Sequence, residues 1–485
     1  MSLAFESAHA LARRIRRKEV GSRELTELYI RRIEKYDAEI NAVVVRDFEG
    51  ALEAADRADA AVAAGESLGP LHGLPMTVKE AYDVAGQPTT WGVPALAGNR
   101  AERDAECVRR FVRAGAHLLG KTNVPIHLGD FQSYNEIYGT TSNPWDRERT
   151  PGGSSGGSSA ALAAGFCALE SGSDIGGSIR NPAHYCGVYG HKPTWGVVPG
   201  EGHAIPGMVA PPDLAVVGPL ARSARDLALA MDIVAGPDSF NARGWTLSLP
   251  RPEKRSLAGF RVAFWPTDER GPVSHAVADR VQSLADRLAR QGATVSDRAR
   301  PDIDVVESER TYFSMLHGQL SGGVPDEAFA RLAEAAKGFD PDDHSDAVET
   351  IRATVQPHRT WARRNHHRAM LRRAWSAFFE DWDILVCPIM PTTAFPHDHG
   401  PFHERTIEID GRVEPYTRQL FWPGLTTVAH LPSTVFPTGP AADGLPIGLQ
   451  AVGAEFDDYT CIEFARLLEE EIGGFRAPSG YEDAS

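Results

Sequence analysis

The sequence predicts an α/β fold in one large unit, on three observations. Helical periodicity opens the chain, short apolar runs between Gly- and Pro-marked turns follow it, and no break in composition divides the 485 residues. Leu25, Leu28, Tyr29, Ile33 and Tyr36 recur at the spacing of one buried helical face, with Ser22 placed to cap its start. Residues 48–64 are Ala-rich and charged, a second helix stopped by Gly65. Past Gly69 the texture changes, and Met76-Thr77-Val78 and His117-Leu118-Leu119 read as strands. Residues 160–164, 221–235, 274–290 and 461–471 read as helices, and 323–380 as mostly helical. The apolar runs 384–386, 433–436 and 447–452 have the length of strands.

The bulk numbers exclude several classes. Apolar residues make up 42% and charged residues 24%, ordinary for a globular protein with a sizeable core. Fifty Lys plus Arg against 65 Asp plus Glu give a net charge of −15, which argues against holding nucleic acid or an anionic membrane electrostatically. No secretory segment of about 7–15 apolar residues and no run of about 18 occurs, so a cytoplasmic location is expected. The five cysteines (Cys107, Cys167, Cys186, Cys387, Cys461) are scattered and never spaced as CxxC, which predicts neither a disulfide framework nor a structural zinc site.

Two Gly/Ser clusters are the least ordinary feature. Pro151-Gly152-Gly153-Ser154-Ser155-Gly156-Gly157-Ser158-Ser159 runs into an Ala-rich helix, and Ser171-Gly172-Ser173-Asp174-Ile175-Gly176-Gly177-Ser178-Ile179-Arg180 follows closely. A flexible linker does not suit a tract bounded by proline and a helix. A phosphate loop needs a lysine where Ser158 stands. Gly153-Ser154-Ser155-Gly156-Gly157 matches G-x-S-x-G, but a nucleophile elbow must follow a buried strand, and 143–150 is polar and broken by Pro144. In the remaining reading, glycines around Ser178 turn backbone N–H groups inward as an oxyanion cradle beside a hydroxyl nucleophile. Such a hydroxyl needs a base. Lys79, in Gly73-Leu74-Pro75-Met76-Thr77-Val78-Lys79-Glu80, is the candidate: at the end of a buried strand it would be desolvated and able to accept a proton. Spacing alone leaves open a lysine paired with Glu80 in solvent.

Together, Val78-Lys79-Glu80, Gly152 to Ser158 and Gly172 to Arg180 closely resemble the amidase signature family. Gly120-Lys121-Thr122-Asn123-Val124-Pro125, Ser142-Asn143-Pro144-Trp145-Asp146, Cys186 to Thr194 and Gly444 to Gln450 extend the resemblance from about residue 5 to 470. It implies an α/β fold with a mixed twisted central β-sheet flanked by helices on both sides. It also implies an N-terminal helical segment (1–65) and one signature unit (66–475) with a variable helical insertion around 300–420. It further implies a Ser-Ser-Lys triad: Ser178 the nucleophile, Ser154 the bridge after a cis peptide bond from Gly153, and Lys79 the base. The N–H groups of Ile175, Gly176, Gly177 and Ser178 become the oxyanion hole, Ser155 a supporting hydroxyl, and Asp174 with Arg180 an ion pair framing the loop. Glu80 departs from the family's usual aspartate. No cofactor and no metal are implied.

The activity implied is hydrolysis of a carboxamide C–N bond through an acyl-enzyme, an aryl amide or a carbamate (urethane) being the favoured substrate. The partner expected is that small molecule, with no nucleic acid and no membrane, and a homodimer is allowed. The rivals are the A subunit of a glutamyl-tRNA amidotransferase, which shares these motifs, and an inactive binding protein on the same fold. The segments 198–203 and 211–219 depart from that subunit's serine-rich pattern. For the acyl pocket the resemblance points to Ile126, Leu128, Phe131 and Asn135. Phe313, Trp361, Phe421 and Trp422 either line an aromatic cleft or pack as core. His397-Asp398-His399 with His403 lacks the i, i+4 spacing of a helical metal site and reads as a solvated loop. His366-His367 and the run from Arg13 to Lys18 read as surface.

Overall fold

The computed structural model describes residues 2–482. The chain enters through helices Ala8–Arg16, Ser22–Ile40 and Phe48–Ala64. Leu25, Tyr29 and Ile33 are buried along the second of these, as their spacing predicts. Ser22 is not its cap. Gly21 holds that position, Ser22 is the first helical residue, and Asp59 of the next helix accepts the N–H groups of Ser22 (2.7 Å) and Arg23 (3.0 Å). A carboxylate from another helix thus does the work that local sequence assigns to the serine.

Strands β1 (Val43–Arg46), β2 (Pro75–Lys79) and β3 (His117–Thr122) lie toward one edge of the sheet, with β4 (Tyr134–Asn135) and β5 (Gly139–Thr140) a separate hairpin beyond them. The centre contains β6 (Leu169–Asp174), β7 (Tyr189–Lys192) and β8 (Val216–Ala221), and the far edge β9 (Arg261–Phe264), β10 (Thr294–Ser296) and β11 (Ile384–Cys387). A second hairpin, β12 (Thr406–Ile409) with β13 (Arg412–Pro415), precedes β14 (Ser433–Pro440) and β15 (Pro446–Val452). Eleven strands form one mixed sheet in the order β1-β3-β2-β6-β8-β7-β14-β15-β11-β9-β10. Every residue of β2, β6, β7, β8 and β15 is buried, so helices cover both faces of the centre.

Only β2, β3, β11, β14 and β15 correspond to the apolar runs read from the sequence, and two of the unread strands matter most for the site. The N-terminal segment is not wholly helical, because β1 pairs antiparallel with β3 and extends the edge. Strand β6, Leu-Glu-Ser-Gly-Ser-Asp, has no apolar run, yet it lies between β2 and β8. Partners on both sides supply its hydrogen bonds, and tertiary burial overrides its low strand propensity. β2 runs parallel to both β3 and β6, with Thr77 opposite Glu170, Val78 opposite Ser171, and Lys79 opposite Thr122. The carboxyl ends of β2 and β6 therefore open side by side, where a parallel sheet offers a crevice.

The insertion is helical over Val305–Leu320, Asp326–Ala336, Asp346–Thr354 and His358–Asp381. Its first helix packs against helix Phe421–Thr427 and leans on the loop after β6 through Tyr312, whose hydroxyl donates to the Ile175 carbonyl at 3.1 Å. Among the described residues no helix is long and apolar enough to cross a membrane.

Candidate active site

Lys79 ends β2 with its side chain fully buried. Its Nζ donates to Ser154 Oγ at 2.6 Å and to Ser173 Oγ at 2.9 Å. Glu80 does not pair with it: that buried carboxylate accepts the N–H groups of Thr90 (2.6 Å) and Trp91 (2.9 Å) and the Tyr138 hydroxyl (3.2 Å). Burial pulls Lys79 down to about 7, with the charges of Asp174 and Glu170 only partly opposing. A lysine so placed holds a large neutral fraction near physiological pH and can take up a proton.

The Gly/Ser tract brings the serines to it. The Gly153–Ser154 peptide is cis, and the Gly153 N–H donates to Asn181 Oδ1 at 2.9 Å. A Cβ on Gly153 would stand 2.3 Å from the Asp130 carbonyl oxygen, and one on Gly157 2.4 Å from the Asn123 nitrogen. These glycines let the backbone approach its neighbours more closely than any side chain allows. The helix begins at Gly156, earlier than its alanines suggest. Ser155 faces Ser173: its Oγ donates to the Ser173 carbonyl and accepts the Ser173 N–H, each at 3.4 Å. No strand leads into Ser155, so a nucleophile elbow is not formed there.

The two clusters meet where the Ser155 N–H donates to the Ser178 carbonyl at 3.1 Å. Lys79 is 0%, Ser154 1% and Ser178 8% exposed, so the serine at the outer end is the one nearest solvent. Ser154 Oγ and Ser178 Oγ share no hydrogen bond among the described residues.

Asp174 shapes the loop carrying Ser178. Its carboxylate accepts the N–H groups of Gly177 (2.8 Å) and Ile179 (3.1 Å) and is gripped by Arg180 Nη2 (3.0 Å) and Nε (3.0 Å), with both side chains fully buried. Burial alone would raise Asp174, but the Arg180 guanidinium outweighs it and holds the carboxyl at about 2. The Gly177 N–H is thereby turned to Asp174, while those of Gly176 and Ser178 have no protein acceptor among the described residues. Two apolar side chains and a tyrosine hydroxyl lie over this loop: a Cβ on Gly176 would meet Leu420 Cδ2 at 3.1 Å and Tyr312 Oη at 3.2 Å, and one on Gly177 would meet Pro423 Cγ at 3.0 Å.

The pocket residues suggested by resemblance fare differently. Asn135 is spent on its own loop: Nδ2 donates to Asn123 Oδ1 (2.9 Å) and the Val124 carbonyl (2.7 Å), and Oδ1 accepts from Ile137 and Tyr138. All four of its hydrogen-bonding positions are filled, which leaves none for a substrate. Phe131 is buried edge-on to Tyr416, while Ile126 is exposed and Leu128 half-buried. Phe421 and Trp422 are core, with Trp422 Nε1 donating to the Gly271 carbonyl at 3.1 Å. Trp361 stacks on His358, and Phe313 lies half-buried beside His317. His399 stacks on Tyr134, and among the described residues no three His, Cys, Asp or Glu side chains gather as metal ligands. His367 is not simply surface, since Nδ1 meets Thr311 Oγ1 at 2.7 Å. Ser173 and Tyr312 are site residues that sequence reasoning missed. Ser173 lies inside the second Gly/Ser cluster, but nothing local marks it as the lysine's second partner.

A family model described as Amidase matches residues 24–462, so the chain belongs to the amidase signature family and is an amidohydrolase acting on the C–N bonds of amides. It is 33% identical over 495 residues to the A subunit of the glutamyl-tRNA(Gln) amidotransferase of Moorella thermoacetica, covering 97% of each chain. It is 33% identical over 477 residues to the indoleacetamide hydrolase of Bradyrhizobium diazoefficiens, covering 96% of this chain and 86% of that one. Among solved structures, a bacterial aryl acylamidase of the amidase signature family superposes with a TM-score of 0.79 at 26% identity, covering 96% of each chain.

Proposed function

We propose that this amidohydrolase cleaves small, uncharged aryl amides or aryl carbamates through an acyl-enzyme on Ser178. One observation carries the reading: a fully buried lysine bonded to Ser154, whose neighbour Ser155 is tied to Ser178 by its backbone. Ser178 Oγ attacks the carbonyl carbon, and its proton passes through Ser154 Oγ to Lys79. The tetrahedral oxyanion takes hydrogen bonds from amides of the loop that includes Ile175 and Gly176. Gly177, engaged by Asp174, serves that loop's shape. The proton returns to the leaving amine as the C–N bond breaks, and water releases the acid by the same relay run again. Here lysine takes the part histidine plays in the commoner triad.

Leu420, Tyr312 and Pro423 over the loop carry no charge, which favours an uncharged acyl group, and the names of the indoleacetamide hydrolase and aryl acylamidase relatives fit an aryl substrate. The five cysteines are buried thiols, which suits a reducing cytoplasm. A second reading, the glutaminase subunit of a tRNA-dependent amidotransferase, is favoured by the identity to the Moorella protein.

The test is intact-protein mass spectrometry after exposure to an aryl sulfonyl fluoride, on wild type and Ser178→Ala, followed by rates on anilides, aryl carbamates and glutamine. One adduct mapping to Ser178, with anilide or carbamate turnover above that on glutamine, is expected. Turnover on glutamine alone moves the assignment to the amidotransferase glutaminase. An adduct on Ser155, or none on folded protein, overturns the Ser178 mechanism.

A further inference from the structure

Behind Lys79 lies a second buried ionisable group that the relay leaves unused. Glu170, on β6, is fully buried. Thr77 and Lys79 share one face of β2, because side chains two apart in a strand point the same way. Glu170 stands opposite Thr77 and Thr122 opposite Lys79, so all four project to the face that carries helix Gly156–Ala163. Thr122 Oγ1 donates to Glu170 Oε1 at 2.8 Å and shares a hydrogen bond with Ser158 Oγ at 2.9 Å. Neither Glu170 Oε2 nor Thr77 Oγ1 has a well-formed hydrogen bond among the described residues, although the Thr77 and Ser158 hydroxyls and the Ser171 N–H favour the carboxylate. A buried carboxylate with one oxygen so weakly held is costly unless a proton or a nearby positive charge compensates it.

We propose that Glu170 is a positioning residue for the base: its carboxylate, one register step behind Lys79 on the same face, is the counter-charge that sets the amine's protonation and basicity. The proposal rests on Lys79 being the base. The other charged groups around the pair are already committed or oppose it. Asp174 faces Lys79 from the end of β6 but is held by Arg180, with Lys192 behind it. His203 approaches Lys79 from the loop after β7, and burial keeps it neutral. Glu80 and Lys121 alternate to the other face and attract each other. Cys167 and Tyr82, which flank Glu170, are both raised by burial and stay uncharged. Burial also raises Glu170, to about 7, so it loses its proton in the range where Lys79 does, and the two titrate as a pair.

The readout is the second-order rate of Ser178 acylation by an aryl sulfonyl fluoride, followed by intact mass across about pH 5–9. The negative carboxylate favours protonated Lys79, so removing it frees the amine at lower pH. Glu170→Gln, an isosteric change, is expected to move the acid limb toward lower pH by about one unit or more. The weaker base should also lower the plateau several-fold. A plateau loss with the limb unmoved assigns Glu170 a packing role and overturns the proposal. Lys79→Ala separates the two claims: acylation surviving in that variant defeats Lys79 as base, whereas its loss beside an unmoved Glu170→Gln limb defeats only Glu170. Should Glu170→Gln not fold, Thr122→Val must move the limb the same way by a smaller amount, because losing the Oε1 hydrogen bond favours the neutral acid. No movement there overturns the proposal equally.

Discussion

The sheet holds two triplets of parallel strands, β3-β2-β6 and β10-β9-β11, and only the first ends in the candidate active site. Both open a crevice at their carboxyl ends. In the first, strands run out into Lys79, Thr122 and Asp174, and the loops that follow contain glycines packed closely against backbone. In the second, β9 runs out into Trp265, whose N–H donates to the Val386 carbonyl at 3.0 Å. Its ring stands edge-on to Trp422 at 5.9 Å, under the Arg300 guanidinium at 4.6 Å. Large side chains fill the second crevice, whereas small and polar residues surround the first. Parallel topology supplies the place, but residue size and desolvated polar groups decide whether chemistry happens there.

The strongest way to break this contrast is to disable the first triplet alone. Ser178→Ala and Lys79→Ala should each cut anilide turnover about 10⁴-fold or more, with the unfolding midpoint near wild type. Ser154→Ala should fall short of that, since water can stand in for part of a hydroxyl relay. Initial rates with circular dichroism decide it, and turnover retained by either of the first two sinks the contrast.

Asp174→Asn comes next, because it leaves Arg180 as an uncompensated buried charge. It should cost about 3–5 kcal/mol in urea unfolding as well as activity. Trp265→Ala, at the filled crevice, should lose a comparable about 3–5 kcal/mol by opening a cavity while kcat/KM per folded molecule stays within a few-fold. A large activity loss there would mean that the two crevices are coupled.

The pH dependence sharpens the comparison further. Only neutral Lys79 accepts a proton, and its neutral fraction rises with pH, so Ser178 acylation should climb about tenfold per unit below a midpoint of about 7 and then level off. A flat profile over that range excludes a lysine base. The smallest effect is expected at Val209, 94% exposed, where Val209→Ser should change stability by less than about 0.5 kcal/mol.

Much of this protein was legible before its structure. Periodicity marked the helices because a buried stripe must recur with the helical turn, as at Leu25, Tyr29 and Ile33. The Gly/Ser clusters stood out because only small residues permit such close backbone packing, and both family and activity class followed from them. Strand β6 was illegible, since its small polar residues become a strand only between β2 and β8. Asn135 misled for a related reason: an amide in a suggestive loop looks like a substrate contact until its four hydrogen bonds are counted.

Residue order alone marks which side chains are able to do chemistry and roughly where strands present them. Folding in three dimensions brings Lys79 to Ser154 and Ser173, turns the Gly177 N–H to Asp174, and sets Glu170 opposite Thr77, two residues before Lys79. The reason is physical. Patterns along the chain record local conformation and burial, whereas proton affinity in a closed site depends on desolvation and on charges that parallel register brings in from strands far away in sequence.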